Sequence, residues 1–181
     1  MKKFIVLILL LESCFLYGQN DNYEIKNEAV VVEKVINFDV DNKVASDAIY
    51  HLLVTKLNDS NETLKAADKE YYAAKILTPT LDTYSMGAWQ SAGEVTIEIT
   101  FREKRFKVKL ECRNIRCWSN IAVTNYNPTQ AAPISEKHDA FKLNIPKKNA
   151  EKTFNNLVSY MNDLMQGFEN CVKNISAEED W

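Results

Sequence analysis

The residues of this 181-residue chain with the most obvious chemistry are four cysteines, two histidines and a dense run of lysines and arginines. Cys112 and Cys117 bracket Arg113-Asn114-Ile115-Arg116. If the chain reverses across those four residues, the two sulfurs come within reach of a disulfide. Along a continuous strand they point to opposite faces and cannot bond. Cys171 falls between Phe168 and Ile175 at helical spacing, which predicts a thiol buried under a helix. Three cysteines beyond the leader allow at most one internal bridge. Neither His51 nor His138 belongs to a zinc-ligand pattern, so no metal is expected.

Acid–base pairs are equally ordinary. Asp47 and His51 lie four apart on an expected helix, the spacing of a solvated helix face as much as of half an acid–base site. Glu136-Lys137-His138-Asp139 and the pair Asp68 and Glu70 fall in expected loops or turns. No Gly-x-Ser-x-Gly or His-Glu-x-x-His setting occurs, and four glycines argue against a phosphate cradle. No catalytic residue and no cofactor is expected.

Residues 94–118 carry seven Lys/Arg, including Arg102, Arg105, Lys107 and Lys109, against four glutamates. That is a local +3 in a chain whose formal charge is −3. Such a stripe attracts anionic glycans, lipid head groups or an acidic protein, and equally serves as a solubilising sheet surface. It lacks the interleaved aromatic residues on which single-stranded bases stack, so nucleic acid is not an expected partner.

The compartment follows from the first twenty residues. Lys2 and Lys3 precede eight apolar residues, Phe4 to Leu11, the layout of a secretory signal peptide and too short for a transmembrane helix. The small-residue rule favours a cut after Gly18. The alternative is a lipoprotein box ending at Cys14, where Glu12 fits poorly. Cutting after Gly18 lowers Lys+Arg from 22 to 20 and Asp+Glu from 25 to 24, net −4. The expectation is an exported protein, periplasmic or extracellular, with no transmembrane segment in the mature chain.

The elements that must position these residues read clearly in places. Residues 19–28 are a polar lead-in, and the β-branched run Ala29 to Phe38 predicts a strand. Ala45, Ile49, Leu52 and Leu53 put one apolar face on a helix at 46–57, capped by Asp41 or Asn42. Residues 62–67 and 71–77 predict two strands, and 78–92 a loop or irregular edge. Val95, Ile97, Ile99 and Phe101 alternate with polar residues, as do Phe106, Val108, Leu110 and Cys112. Two runs of period 2 around Glu103-Lys104 predict a hairpin pairing Phe101 with Phe106 and Glu98 with Lys109. Residues 119–147 form a long connection, with a short strand at 140–145. Ala150 to Ile175 then repeats apolar residues at spacings of 3 and 4, an amphipathic helix over 148–175 that must cover the sheet.

These elements imply one α+β domain over 19–181 with two layers, both helices on one face of an antiparallel sheet. Val31-Val32-Glu33-Lys34-Val35-Ile36, Ser46-Asp47-Ala48-Ile49-Tyr50 and Asp68-Lys69-Glu70 carry a resemblance to a bacterial secreted family of unknown function with a fold like that of the TATA-box-binding protein. The resemblance spans roughly residues 29–118 and implies a fold and a compartment, not a reaction. The expected function is therefore a non-catalytic exported domain. Its partner is an envelope protein or an anionic glycan or lipid, held on the open sheet face or the 78–92 segment. The alternative is an envelope hydrolase acting on peptidoglycan or polysaccharide.

Overall fold

The computed structural model describes residues 23–27, 29–56, 63–67, 70–84, 89–119, 132–133 and 147–178. The leader, Cys14, Asp68 and His138 with its neighbours lie outside that set, as does the short strand expected at 140–145.

The β-branched run forms strand β2 (Ala29–Asn37), preceded by the three-residue β1 (Glu24–Lys26). The lead-in is thus partly sheet, folded back antiparallel through Asn27, whose φ of 50° is the left-handed conformation asparagine tolerates best. Helix α1 (Asn42–Lys56) follows. Asp41 caps it, its Oδ1 accepting from the Lys43 amide at 2.7 Å. Strands β3 (Thr63–Ala67) and β4 (Tyr71–Leu77) form the expected pair. The 78–92 stretch is more regular than its composition suggests. It contains β5 (Asp82–Tyr84), which pairs with the beginning of β6 (Trp89–Arg102). Strand β7 (Arg105–Ser119) returns along β6, and β8 (Ala132–Pro133) adds a two-residue pairing to β7. Helix α2 (Lys147–Glu178) closes the chain; its 32 residues reach about 48 Å at 1.5 Å per residue.

The sheet order is β1-β2-β7-β6-β4-β3, antiparallel throughout, with β5 on β6 and β8 on β7. Both helices cover one face. The hairpin register is the one alternation demands: Phe101 opposite Phe106, Ile99 opposite Val108, Ile97 opposite Leu110, and Glu98 opposite Lys109 on the other side. Glu103-Lys104 makes a two-residue turn, with Lys104 at φ 57°. Val32, Ile36, Ile76, Ile97, Ile99, Val108 and Leu110 are buried beneath α1 residues Ala45, Ile49 and Leu53 and α2 residues Phe154, Leu157, Met161 and Phe168. One inner-face residue of β2 breaks the pattern: Lys34 runs along the core edge to Glu169 of α2 at 2.5 Å.

The register of β7 against β6 shifts once. Val95 faces Cys112 and Glu94 faces Asn114, leaving Arg113 as a β-bulge. Near that bulge α2 packs against β6 and β7. A Cβ on Gly93 would sit 3.1 Å from Leu157 Cδ1 and 3.2 Å from Cys112 Sγ. Glycine is the residue that lets helix and strand meet there.

Candidate functional site

The face of the sheet turned away from the helices holds the basic stripe. It is an ion-pair lattice. Lys107 meets Glu33 of β2 at 2.9 Å; Lys109 lies between Glu98 at 3.5 Å and Glu111 at 2.7 Å; Arg113 pairs with Glu111, and Lys75 of β4 with Glu94. Hydrogen bonding to Glu111 holds the Lys109 ammonium above its ordinary pKa against a smaller effect of burial. Burial pushes the Glu111 carboxyl up, but Lys109 and Arg113 outweigh it and hold it down. The local +3 counted along residues 94–118 is therefore offset partly by Glu33, which belongs to a strand far away in sequence.

Two cations remain. Arg102 and Arg105 stand opposite each other across the hairpin, both exposed, and neither is in an ion pair among the described residues. Like charges facing each other across a ladder are unfavourable by a few tenths to about 1 kcal/mol. The tip that carries them is fixed to the start of α1. Lys104 donates its amide to Asn42 Oδ1 at 3.0 Å, and Asn42 Nδ2 donates to the Arg102 carbonyl at 3.4 Å. Lys104 Nζ reaches the carbonyls of Asp39 and Val40 at 2.7 and 2.9 Å. Of the four expected binding residues, then, Arg102 and Arg105 are presented free, while Lys107 and Lys109 are engaged.

The expected Cys112–Cys117 disulfide is not formed, and the turn at 113–116 that it required is absent. Both cysteines belong to β7, which runs through them. Five residues at ~3.3 Å each separate their Cα atoms by roughly 16 Å, more than twice the reach of a disulfide. Cys112 is a free thiol with 0% exposure; it donates to the Asn114 carbonyl across the bulge at 3.4 Å, and burial pushes its pKa up to about 12. Cys171, expected to be the buried thiol, is only half-buried at the core edge. Asp47 and His51 are exposed on α1. Among the described residues no three His, Cys, Asp or Glu side chains gather as metal ligands.

The least anticipated polar feature joins β5 to the first turns of α2. The Asp82 carboxylate is fully enclosed and accepts from Lys152 Nζ at 2.6 Å and Asn149 Nδ2 at 3.0 Å. Asn156 Nδ2 donates to the Leu81 carbonyl at 2.5 Å, and the Ser91 and Thr153 hydroxyls meet at 3.3 Å. Burial works to raise the Asp82 pKa, but the hydrogen bonds from Lys152 and Asn149 prevail and lower it, so the group stays ionised. A sequence signal for this clasp exists: Asn149, Lys152, Thr153 and Asn156 form a polar row at spacings 3, 4 and 7 beside the apolar stripe of α2.

A small apolar recess of about 110 Å³ opens between α1 and α2 above Ile97. It is well below the 300–1,000 Å³ usual for a cofactor or drug-sized ligand.

This architecture is found in known proteins. A TBP-like protein from Parabacteroides distasonis superposes with a TM-score of 0.64 at 13% identity, covering 83% of this chain and 97% of that one. A DUF4468 family protein from Bacteroides ovatus superposes with a TM-score of 0.58 at 13% identity, covering 86% and 92%. The fold is TBP-like, and both of these structural neighbours bear names that carry no activity. No family model and no curated relative matches the sequence.

Proposed function

We propose that this is an exported, non-catalytic binding domain that holds an anionic component of the cell envelope at the β6–β7 hairpin tip. The observation that carries the reading is the pair Arg102 and Arg105. They are opposed, exposed and held on a braced turn, while the neighbouring lysines of the same face are engaged by glutamates. Two guanidinium groups side by side suit a phosphate, sulfate or carboxylate, because each fork donates two parallel hydrogen bonds. The basic leader and apolar run support export. Among the described residues no helix is long and apolar enough to cross a membrane.

Among the described residues the hydrolase alternative draws no support from the carboxylates with resolved shifts. A glycosidase-type acid needs a carboxyl whose pKa is raised toward neutrality. Asp82, Glu111 and Glu169 are all lowered instead, each by lysine neighbours.

The test is binding to vesicles of phosphatidylglycerol and to a sulfated glycan, with neutral phosphatidylcholine vesicles as the control. The parent protein should bind one or both anionic probes in a salt-sensitive way, and R102E/R105E should lose that binding. Lys107→Gln should change it little, since Lys107 already has a carboxylate. Equal binding by R102E/R105E would overturn the reading.

A further inference from the structure

We propose that the recess between α1 and α2 receives one apolar side chain of a partner peptide, Leu- or Phe-sized, carried next to a Lys or Arg. The recess lies on the helical side of the sheet, so the inference is independent of the hairpin-tip reading. Its floor is core: Leu53, Ile97 and Phe168 are each at most 2% exposed, and Leu52 and Leu164 form the walls. The floor is apolar, and a volume of about 110 Å³ leaves room for a single branched or aromatic group. An apolar cavity of similar size, ~150 Å³, is known to take up benzene.

Gly167 shows that the space is not required by the protein's own packing. Glycine inside a helix is about 0.5–1 kcal/mol less favourable than alanine. At Gly93 that loss has a reason, since a side chain would strike Leu157 and Cys112. A Cβ on Gly167 would meet no atom within 4 Å. Gly167 is one of the residues lining the recess, one helical turn from Asp163, and a larger side chain there has open space to occupy. Asp163 is exposed on the rim and enters no ion pair among the described residues. An apolar floor with a free carboxylate at the mouth selects a hydrophobic group flanked by a cation and rejects one flanked by an anion.

Three small probes separate these features in two-dimensional amide NMR of the full mature chain: benzylammonium, benzyl alcohol and benzoate. Benzylammonium should give saturable shifts centred on Leu53, Leu164 and Gly167, with benzyl alcohol several-fold weaker and benzoate weakest. Asp163→Asn should bring benzylammonium down to the level of benzyl alcohol. Gly167→Leu should plug the recess and abolish both, and Gly167→Ala should keep the fold with a raised melting temperature. Benzoate binding as tightly as benzylammonium would overturn the proposal. So would undiminished benzylammonium shifts in a folded Gly167→Leu protein, shifts located elsewhere, or a lowered melting temperature in Gly167→Ala. A peptide carrying Leu-Lys should then compete with benzylammonium, and one carrying Leu-Glu should not.

Discussion

Replacing Asp82 with alanine should destabilise the protein by about 2–3 kcal/mol. The carboxylate is wholly enclosed and accepts two hydrogen bonds, one of them from an ammonium. Hydrogen bonds to charged groups contribute about 1.5–3 kcal/mol each, but they do not add here. The Lys152 side chain is 60% exposed and regains water once its partner is gone, so the larger 3–5 kcal/mol loss of a stranded buried charge is avoided. For a chain of this size, 2–3 kcal/mol corresponds to a fall of roughly 5–10 °C in melting temperature. Asp82→Asn keeps an acceptor for one donor and should lose about half as much. Because the folded pKa lies below the ordinary 3.8, the contribution is fully present above that value and is lost as pH falls through the folded pKa. Urea unfolding at neutral and acidic pH measures both effects. The gap between parent and Asp82→Asn should be widest near neutrality and shrink on acidification. A loss under 0.5 kcal/mol for Asp82→Ala, or a gap that widens with acid, would refute the clasp as a source of stability.

The other expectations are simpler. Gly93→Ala should cost about 1–3 kcal/mol through overpacking against Leu157 and Cys112, and Leu157→Val in the same chain should recover part of it, both read from unfolding midpoints. Cys112 should resist alkylation in the native protein at pH 8 and label on unfolding, while Cys171 labels first; peptide mapping should find no Cys112–Cys117 bridge. Glu169, held at about 2 by Lys173 and Lys34, contributes stability that is present above pH 4.5 and lost as pH falls toward 2. Glu169→Gln should therefore flatten the acid limb of the stability curve without moving the neutral plateau by more than about 1 kcal/mol, because both lysines are well exposed.

Period made the hairpin and α2 legible, although Glu103-Lys104 is not a usual turn pair, because in each the same residues satisfy burial and local geometry together. Val95 to Phe101 and Phe106 to Cys112 can bury their apolar members in one register only, and a slip by one residue would turn Glu98 and Lys109 into the core. The segment 78–92 lacked that redundancy. Its strand β5 is three residues long, pairs with the nearby start of β6, and is held by a polar row on α2 some seventy residues away in sequence. The turn imagined between Cys112 and Cys117 failed for a related reason. Thiol chemistry at short spacing suggested a reversal, whereas Ile115 is fully buried and keeps the chain in the ladder.

Charge was the least transferable quantity, and the failure explains where the candidate site lies. Counting along residues 94–118 treats Arg102, Arg105, Lys107 and Lys109 as equivalent, since sequence windows contain no cross-strand neighbours. The register separates them. Glu98 belongs to the same hairpin, and the alternation alone already placed it beside Lys109. Glu33 comes from β2, whose pairing with β7 follows from strand order rather than from any local signal, and it engages Lys107. At the tip the ladder pairs Asn37 with Arg105 and Arg105 with Arg102, so the sheet supplies those two arginines no carboxylate directly across. An uncompensated pair on an anchored turn is a local cost the fold carries, as binding surfaces commonly do. The same logic singles out Gly167, the other position whose residue type works against local stability without a neighbour that demands it.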